Sequence, residues 1–542
     1  MLGGIKLSTR NIIFSFILLI GTTLLGACSN DTNNSDNTLS KDESETVAKE
    51  NMPIVEEPIN LNFIGGQDIR PADDWNDILV LNEYEDLTNV HIDWELIPSD
   101  SIEEKRNLRL GGGDLPDAFY HMGLSQKDLM KYGEQGVFIE LSDLIEDYAP
   151  NLNALFEEHP EIKKSISMSD GGIYSFPSIN DPDFTSMRMA AKPFVNRDWL
   201  DELDMDMPET TDEFYEYLTA VKEKDPGNNE GIPYGSPDID NLLSWLKGSF
   251  GVGNLGFANN YFDMDPDNND ELRFYPISDG YKDMLQYTNK LYEEGLIEQS
   301  IFSMELDQYL SNAADGKYGS TNWYGPELQF GEGGAPLEGA PALEGPNGNK
   351  DYIGISDPVS SLGAFAITSE NEHPAATVRW IDYFYGDEGS KLMLMGIEGE
   401  TYEEMENGEV KYKDYIVDSD ESLTDELNKF TIWGGGFPLL FKEEYFFGAE
   451  TTDQELEATD KLEPDTIETP LPQLPYTSEE MKILNSLGTD IEKYVNEMKD
   501  KFIEGQNSFD EWDQYVDTIE KMGLEEYMGI QQDAYERYQS ND

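Results

Sequence analysis

Three short segments between residues 58 and 120 decide the fold class of this chain. They read PINLNFI (58–64), HIDWELI (91–97) and PDAFY (116–120), and their apolar residues alternate or cluster in the manner of β-strands. Two segments with helical spacing separate them, residues 75–87 and 102–110. The order strand, helix, strand, helix, strand predicts a mostly parallel α/β sheet. In such sheets, ligands bind beyond the carboxyl ends of the strands.

The chain is long enough for more than one lobe, and it is strongly acidic. Its 542 residues carry 111 Asp and Glu against 36 Lys and Arg, a formal net charge of −75, and 38% of them are apolar. That apolar fraction suffices for a core, and the negative field argues against nucleic acid as a partner. One cysteine and four scattered histidines argue against an internal disulfide and against a zinc site.

The first 56 residues predict an export signal and a tether. Basic residues precede the apolar run 12–20, and small residues lead into Cys28, the only cysteine. This end resembles a bacterial lipobox, which implies that residues 1–27 are a lipoprotein signal peptide and that Cys28 is lipidated. An uncleaved membrane anchor is the alternative, although the run is short for a spanning helix. We expect residues 28–56 to be a disordered acidic tether on the outer face of the cell membrane.

Helical patterns dominate the rest of the chain. A capping signature at Thr210 to Glu213 predicts a helix over residues 210–224. Amphipathic helices are also predicted over residues 279–294, 374–385, 478–502, 508–522 and 524–538, of which the last three form a helical C-terminal region. The stretch 325–349 is rich in Gly and Pro and is typical of a long loop.

Motifs spread over residues 57–538 resemble one known family. They include LGGGDLPD (110–117), GVFIEL (136–141), DGGIYSFP (170–177), NRDWL (196–200), FIEG (502–505) and QDAYERY (532–538). In this order they resemble the family-1 extracellular solute-binding lipoproteins of carbohydrate ABC importers in Gram-positive bacteria. The resemblance implies an α/β, two-lobe, periplasmic-binding-protein-like fold of type II, with a hinge and a ligand cleft between the lobes.

The resemblance also implies how the chain divides between the lobes. It places crossings near residues 186–195 and 350–362, and a return to the second lobe after about residue 415. The expected N-lobe is residues 57–188 plus 360–415, and the expected C-lobe is residues 189–359 plus 416–542.

The implied function is capture of an oligosaccharide and its delivery to the permease subunits of an ABC transporter, with lobe closure around the ligand. We expect a monomer with no cofactor. We expect no catalysis, because GxSxG and P-loop motifs are absent from the sequence. Carboxylate pairs are uninformative among 111 acids. Two alternatives stay open: a surface enzyme acting on polysaccharide, and a peptide-binding or sensory lipoprotein.

One departure from the family concerns calcium. Long-chain sugar-binding relatives carry a loop resembling DPNGNGKKDEIP, whereas residues 225–233 here read DPGNNEGIP. Calcium takes six to eight oxygen ligands, and this shorter loop supplies too few, so we expect no metal there. The acidic stretch DPDNND (265–270) is expected to be a turn.

Candidate ligand-binding residues combine aromatic faces for sugar rings with polar groups for sugar hydroxyls. The aromatic candidates are Trp245, Trp323, Tyr324 and Trp433. For Trp245, packing in the core is the favoured alternative. The spacing of the remaining tryptophans Trp94, Trp199, Trp380 and Trp512 predicts core positions.

The polar candidates follow predicted strands or lie near the first crossing. Gln67 and Asp68 follow the first strand, and Tyr120 and His121 follow the 116–119 strand. Arg188 lies near the first crossing, where it could clamp an acidic sugar, although a salt bridge is the favoured alternative. The ligand-binding prediction comprises Gln67, Asp68, Tyr120, Arg188, Trp245, Trp323, Tyr324 and Trp433.

Overall fold

The computed structural model describes most of the chain beyond its N-terminus. The described residues are 47–68, 74–189, 191–227, 231–257, 261–405, 410–419, 421–432, 434–468 and 470–540. The predicted signal peptide, Cys28, the tether up to residue 46 and Trp433 lie outside them.

Fourteen strands are found in the described residues. They are β1 (Ile59–Gly66), β2 (Val90–Ile97), β3 (Ala118–Leu124), β4 (Phe176–Asn180), β5 (Lys192–Asn196), β6 (Ile232–Tyr234), β7 (Asp263–Asp265), β8 (Asn268–Arg273), β9 (Tyr318–Trp323), β10 (Leu337–Gly339), β11 (Val359–Ile367), β12 (Tyr402–Glu404), β13 (Val410–Tyr412) and β14 (Leu440–Phe441).

The same part of the chain forms twenty-two α-helices. They are α1 (Leu79–Thr88), α2 (Ile102–Gly112), α3 (Gln126–Glu134), α4 (Ser142–Tyr148), α5 (Pro150–Glu158), α6 (Pro160–Ile166), α7 (Thr185–Arg188), α8 (Arg197–Leu203), α9 (Thr211–Lys224), α10 (Ile239–Leu246), α11 (Asp279–Glu293), α12 (Leu306–Ala314), α13 (Pro326–Phe330), α14 (Pro374–Asp382), α15 (Asp387–Met395), α16 (Asp414–Val417), α17 (Leu423–Leu427), α18 (Asp453–Leu462), α19 (Ser478–Ile483), α20 (Thr489–Ile503), α21 (Trp512–Met522) and α22 (Leu524–Ser540).

The predicted order of elements at the start of the body is confirmed. β1, α1, β2, α2 and β3 follow one another, and β1 pairs in parallel with both β2 and β3. The first helix starts at Leu79 rather than at Trp75, because Trp75 is buried edge-on against Trp94. The predicted helix after Thr210 is also confirmed, since Thr210 and Glu213 form a reciprocal capping box.

Two sheets organise the two lobes. The N-lobe sheet has the order β14-β4-β11-β3-β1-β2, and the C-lobe sheet has the order β10-β5-β9-β6. β11 is antiparallel to β3 and β4, and β5 is antiparallel to β9 and β10. The large hydrophobic clusters follow this division, which matches the expected two-lobe α/β architecture.

Three connections join the two sheets. The first runs from the end of β4 to the start of β5, the second from β10 to β11, and the third from β14 to α18. The third connection differs from the expected boundary at residue 415. β14 pairs with β4, and Phe446 still packs in the N-lobe core, because the apolar side chains of 416–446 cover that sheet.

In two further segments the structure differs from the prediction made from the sequence. Residues 47–55 pack on the N-lobe instead of belonging to the tether, since Ile54 is fully buried and Val47 pairs with Val55. The predicted long loop 325–349 contains α13 and β10. Apolar burial explains both differences, because isolated apolar residues in a polar stretch leave no periodic signal.

The helical C-terminal region contacts both lobes. α20 and α21 pack in the C-lobe core, whereas Met481 of α19 packs in an N-lobe cluster. Gln126 of α3 donates a 2.8 Å hydrogen bond from its amide nitrogen to the carbonyl of Leu474. The segment before α20 therefore spans from one lobe to the other.

Candidate functional site

Strand directions define the edge at which the lobes face each other. β4 ends and β11 begins where the connections leave the N-lobe, and β3 is antiparallel to β11. The carboxyl ends of β1, β2 and β3 therefore lie at this edge. In the C-lobe, β5 begins at the first connection. Its neighbour β9 is antiparallel to it and therefore ends there, and β6 ends there too because it is parallel to β9. The loops after these strands line the cleft between the lobes.

The N-lobe side of the cleft is built from three chain segments. Gln67 follows β1 and donates its backbone N–H to the carbonyl of Ile97 at 2.8 Å. His121, in β3, takes a left-handed backbone with φ 53°. Its ring lies 4.1 Å from that of Phe437, and its Nδ1 is 2.9 Å from the carbonyl oxygen of Gly436. Segments 315 residues apart in the chain thus meet at one point.

The electrostatics of this side favour a neutral imidazole. Burial lowers the pKa of His121, while its hydrogen bond to Gly436 and the nearby carboxylate of Asp68 oppose that shift. The Asp68 carboxylate lies against Gly434, where a Cβ atom would be 2.9 Å from its Oδ2. The N-lobe therefore presents a carboxylate, a neutral ring and a glycine-rich backbone loop, which can exchange hydrogen bonds with hydroxyl groups.

The C-lobe side carries an aromatic ledge at the end of β9. The rings of Trp323 and Tyr324 are stacked, with centroids 4.7 Å apart and an interplanar angle of 21°. Trp323 is half-buried against Tyr309, and Tyr324 is 39% exposed. Burial, followed by the charge of Glu450 on the third connection, raises the pKa of Tyr324. This pair offers a flat apolar face beside the hinge.

Two side-chain donor groups at the end of β9 lack partners within the described residues. The amide nitrogen of Asn322 and the indole nitrogen of Trp323 are buried and make no hydrogen bond to any described residue. An unpaired buried donor costs free energy, so native structures seldom leave one without a reason. Both atoms belong to the last two residues of β9, at the cleft.

Comparison with known proteins identifies the family. The profile of the family described as bacterial extracellular solute-binding protein matches residues 77–391. This chain belongs to that family.

Individual relatives match nearly the whole of this chain. The chain is 30% identical over 509 residues to the fructooligosaccharide ABC transporter substrate-binding protein FusA of Streptococcus pneumoniae, and the match covers 90% of this chain and 92% of the relative. The structure of FusA in complex with kestose superposes with a TM-score of 0.71 and 28% identity, covering 89% of this chain and all of that one. The polygalacturonan/rhamnogalacturonan-binding protein YtcQ of Bacillus subtilis is 24% identical, covering 84% of this chain and 88% of the relative.

Two predicted ligand residues of this solute-binding protein lie in cores instead. Tyr120 is 1% exposed within an aromatic cluster that includes Trp75 and Trp94, so its ring points away from the cleft. Trp245 is also 1% exposed, and its indole N–H donates to the carbonyl of Pro341 at 3.0 Å. Both side chains pack in a core. For Trp245, the sequence already favoured core packing over ligand contact.

Arg188 joins two of the connections between the lobes. Its Nη1 donates to the carbonyl of Pro182 at 2.8 Å and its Nε to the carbonyl of Ser356 at 3.2 Å. Burial lowers the pKa of the guanidinium, which nearby Asp357 opposes. Both of these hydrogen bonds go to backbone carbonyls, so Arg188 ties the first connection to the second, and its contact with a ligand stays a prediction.

The structure adds the loop Gly434–Gly436 to the residues expected at the cleft. It lies there with His121, which was a polar candidate from the sequence, and with Gln67, Asp68, Trp323 and Tyr324. The position of His121 directly after a predicted strand was a usable signal. Trp433 precedes the glycine loop but lies outside the described residues. The other core predictions are confirmed, since Trp94, Trp199, Trp380 and Trp512 are each at most 9% exposed.

The loop expected to be a calcium remnant supplies one carboxylate in its described part. Asp225 is the left-handed C-cap of α9, and residues 228–230 lie outside the description. Within the described residues, no group of three or more His, Cys, Asp or Glu side chains could hold a metal ion. Calcium takes six to eight oxygens, and the absence of calcium from this loop stays a prediction. Residues 266–267, within the stretch 265–270, form the turn of the β7–β8 hairpin.

None of the helices in the described residues is both long and apolar enough to cross a bilayer. The apolar run 12–20 precedes these residues.

Proposed function

We propose that this protein captures an oligosaccharide in the cleft between its lobes and delivers it to the permease subunits of an ABC importer. The observation that carries the proposal is the stacked Trp323–Tyr324 ledge at the hinge edge of the C-lobe. Sugar rings place their C–H faces on such rings and exchange hydrogen bonds at their rims. The name of the relative FusA, a fructooligosaccharide-binding protein, supports the same ligand class.

The two lobes have complementary roles in this proposal. The ledge receives the apolar face of a sugar ring. Asp68, Gln67 and the neutral His121 supply polar contacts from the N-lobe. A ligand that contacts both sides stabilises the closed arrangement more than the open one, so binding shifts the population toward closure.

We further propose that the protein acts from the outer face of the cell membrane as a monomer. The sequence supports a lipid anchor at Cys28, and the family is extracellular by its description. The ligand leaves this protein chemically unchanged, because the proposed task ends with transfer to the permease.

The test is calorimetric titration of the purified protein with kestose, nystose, short oligogalacturonides and short peptides. We expect binding of an oligosaccharide, and a loss of affinity of at least about tenfold in Tyr324→Ala, equivalent to about 1.4 kcal/mol. Tyr415→Ala is the matched control, because Tyr415 is 51% exposed on the N-lobe helix α16.

Three results would contradict the proposal. Shortened sugars recovered by chromatography after binding would identify an enzyme. Binding of peptides alone would identify a peptide receptor. An equal loss of affinity in Tyr324→Ala and Tyr415→Ala would remove the ledge from the site.

A further inference from the structure

A second feature of the C-lobe lies next to the cleft but has no part in the function described so far. It is a cavity of about 290 Å³ between α10 and α20. Its lining includes Asp238, Asp240, Ser244, Lys247, Tyr261 and Asn496. We call it the α10–α20 cavity.

The position of the cavity connects it to the cleft. Asp238 directly precedes α10 and follows the carboxyl end of β6, which lies at the same edge of the C-lobe sheet as Trp323. Ile353, on another wall, belongs to the second connection between the lobes. The cavity therefore extends from the cleft edge into the C-lobe.

The walls of the cavity combine aromatic faces with polar groups held in place. Tyr275 and Tyr281 are buried, and Phe257 is 46% exposed. The amide of Asn496 donates to the hydroxyl of Tyr261 at 2.9 Å, which orients both groups. Asp238 accepts the backbone N–H of Asn241 at 3.0 Å, and this contact fixes its carboxylate at the helix start. Such a mixture of flat apolar surface and oriented polar atoms suits a sugar ring.

The charges of the cavity balance each other. Lys499 is buried and donates to the carboxylate of Asp240. Burial lowers the pKa of Lys247 to about 8, and the carboxylates of Asp240 and Asp263 oppose that shift. A uronic acid placed here would meet two carboxylates as well as two ammonium groups. The lining is therefore better suited to a neutral polyol than to an acidic sugar.

The size of the cavity limits what it can hold. Pockets for drug-sized ligands have volumes of about 300–1,000 Å³, and this one lies at the lower limit. A cavity of this size has room for one end of a sugar chain rather than for a whole oligosaccharide.

We propose that the α10–α20 cavity is a subsite for one neutral terminal sugar unit of a ligand whose other units lie on the Trp323–Tyr324 ledge. This inference rests on the proposed function and adds to it the charge class and the chain-length selectivity of the ligand. A ligand long enough to reach both places gains contacts that a shorter one cannot make.

The test compares kestose with the longer nystose on wild-type protein and two cavity variants. Ser244→Trp fills the cavity from α10, and Asn496→Ala removes one oriented amide from α20. We expect nystose to bind at least tenfold more weakly to Ser244→Trp and several-fold more weakly to Asn496→Ala. The affinity for kestose should change less. Ser486→Trp, an exposed serine before α20, is the control for the added indole.

The outcomes separate this inference from the proposed function. If wild type binds both sugars and neither cavity variant alters any dissociation constant, the subsite is wrong and the ledge function stands. Equal weakening of kestose and nystose would also overturn the subsite. Tighter binding of an oligogalacturonide than of nystose would contradict the neutral lining. If wild type binds no oligosaccharide, both proposals fall together. If the ligand-free Ser244→Trp protein has a lower melting temperature than wild type, the substitution has damaged the fold. The affinity of Asn496→Ala for nystose then decides whether the subsite exists.

Discussion

The two sides of the cleft are built in different ways. The N-lobe side uses backbone: a glycine-rich loop lies against Asp68, and its carbonyl at Gly436 holds His121. The C-lobe side uses large side chains, the ledge of Trp323 and Tyr324, and lies beside the α10–α20 cavity. We infer that the C-lobe provides most of the contact area, whereas the N-lobe provides polar contacts whose positions depend on loop geometry.

The same contrast holds for the buried ion pairs of the two lobes. In the C-lobe, Lys192 and Glu455 are both fully buried, with 2.6 Å between Nζ and Oε2. In the N-lobe, Asp382 lies 3.5 Å from Arg379. Asp382 also accepts three hydrogen bonds, from the backbone and amide nitrogens of Asn151 and from the backbone of Leu152. Glu455 accepts one further hydrogen bond, from the backbone N–H of Gly325. With three such bonds, the N-lobe carboxylate depends less on its cation.

The largest expected effect comes from breaking the C-lobe pair. Lys192→Met leaves the Glu455 carboxylate buried without its cation, which should lower the free energy of unfolding by about 3–5 kcal/mol. Arg379→Met should lower it by clearly less, because backbone donors still hold Asp382. Urea unfolding at pH 7 measures both, and the double variant Lys192→Met/Glu455→Met should recover much of the loss. An equal or larger loss in Arg379→Met would contradict the comparison.

A pH-dependent effect is expected at the second connection, between the lobes. Burial raises the pKa of Asp357 to about 6, although hydrogen bonds from Val359 and Ser165 oppose the shift. The folded protein therefore binds this proton more tightly than the unfolded chain, where the pKa is about 4. The stabilisation from this proton is complete at low pH and is lost as the pH rises from about 4 to about 6. It amounts to about 3 kcal/mol.

Asp357→Asn tests this expectation because the amide keeps the shape of the protonated acid. The free energy of unfolding of the variant, relative to wild type, should rise by up to about 3 kcal/mol between pH 4 and pH 7. Urea unfolding at a series of pH values gives this difference. Asp533→Asn, at an exposed position of α22, serves as the control. Parallel pH curves for Asp357→Asn and wild type would refute the assignment.

The glycine loop of the N-lobe should respond to one added methyl group. Gly436 has φ 79°, and a Cβ there would lie 3.2 Å from the His121 ring. Gly436→Ala should cost about 1–2 kcal/mol of stability and should also weaken sugar binding, since the loop carries the contact to His121. Gly435→Ala is the control in the same loop, because a Cβ there meets no atom within 4 Å. Thermal unfolding measures the loss of stability, and calorimetry measures the loss of sugar affinity. Equal stability and equal affinity of the two variants would show that Gly436 has no special role.

The smallest effect is expected on the segment 47–55 that covers the N-lobe. Lys49 and Asp147 form an ion pair with both side chains more than half exposed, and such pairs contribute about 0–1 kcal/mol. Lys49→Ala should therefore change the unfolding free energy little. Ile54→Ala, in the same segment and fully buried, should cost more, because apolar burial holds the segment. The reverse order in urea unfolding would show that charge holds it instead.

Much of the fold was predictable because it depends on local patterns. The capping residues of the helix after Thr210 were enough to predict it, and the alternation of apolar residues in β1 and β2 was enough to predict these strands. The boundary near residue 415 failed because β14 is two residues long and its assignment depends on pairing with β4. The site was predicted only in part. Tyr120 follows the predicted 116–119 strand as a ligand residue would, but it lies inside β3 and its side chain packs in the aromatic core.

By itself, the sequence determined the α/β class, the acidic character, the expected export signal and the family. Each of these depends on composition, on periodicity or on short motifs that remain recognisable without contacts. Only the tertiary structure decided which tryptophan lines the cleft, that Arg188 joins two connections, and that α10 and α20 enclose a cavity. The physical reason is that Trp245 and Trp323 offer the same chemistry. Burial by residues distant in the chain, such as Pro341 for Trp245, separates a core ring from a ligand-facing one.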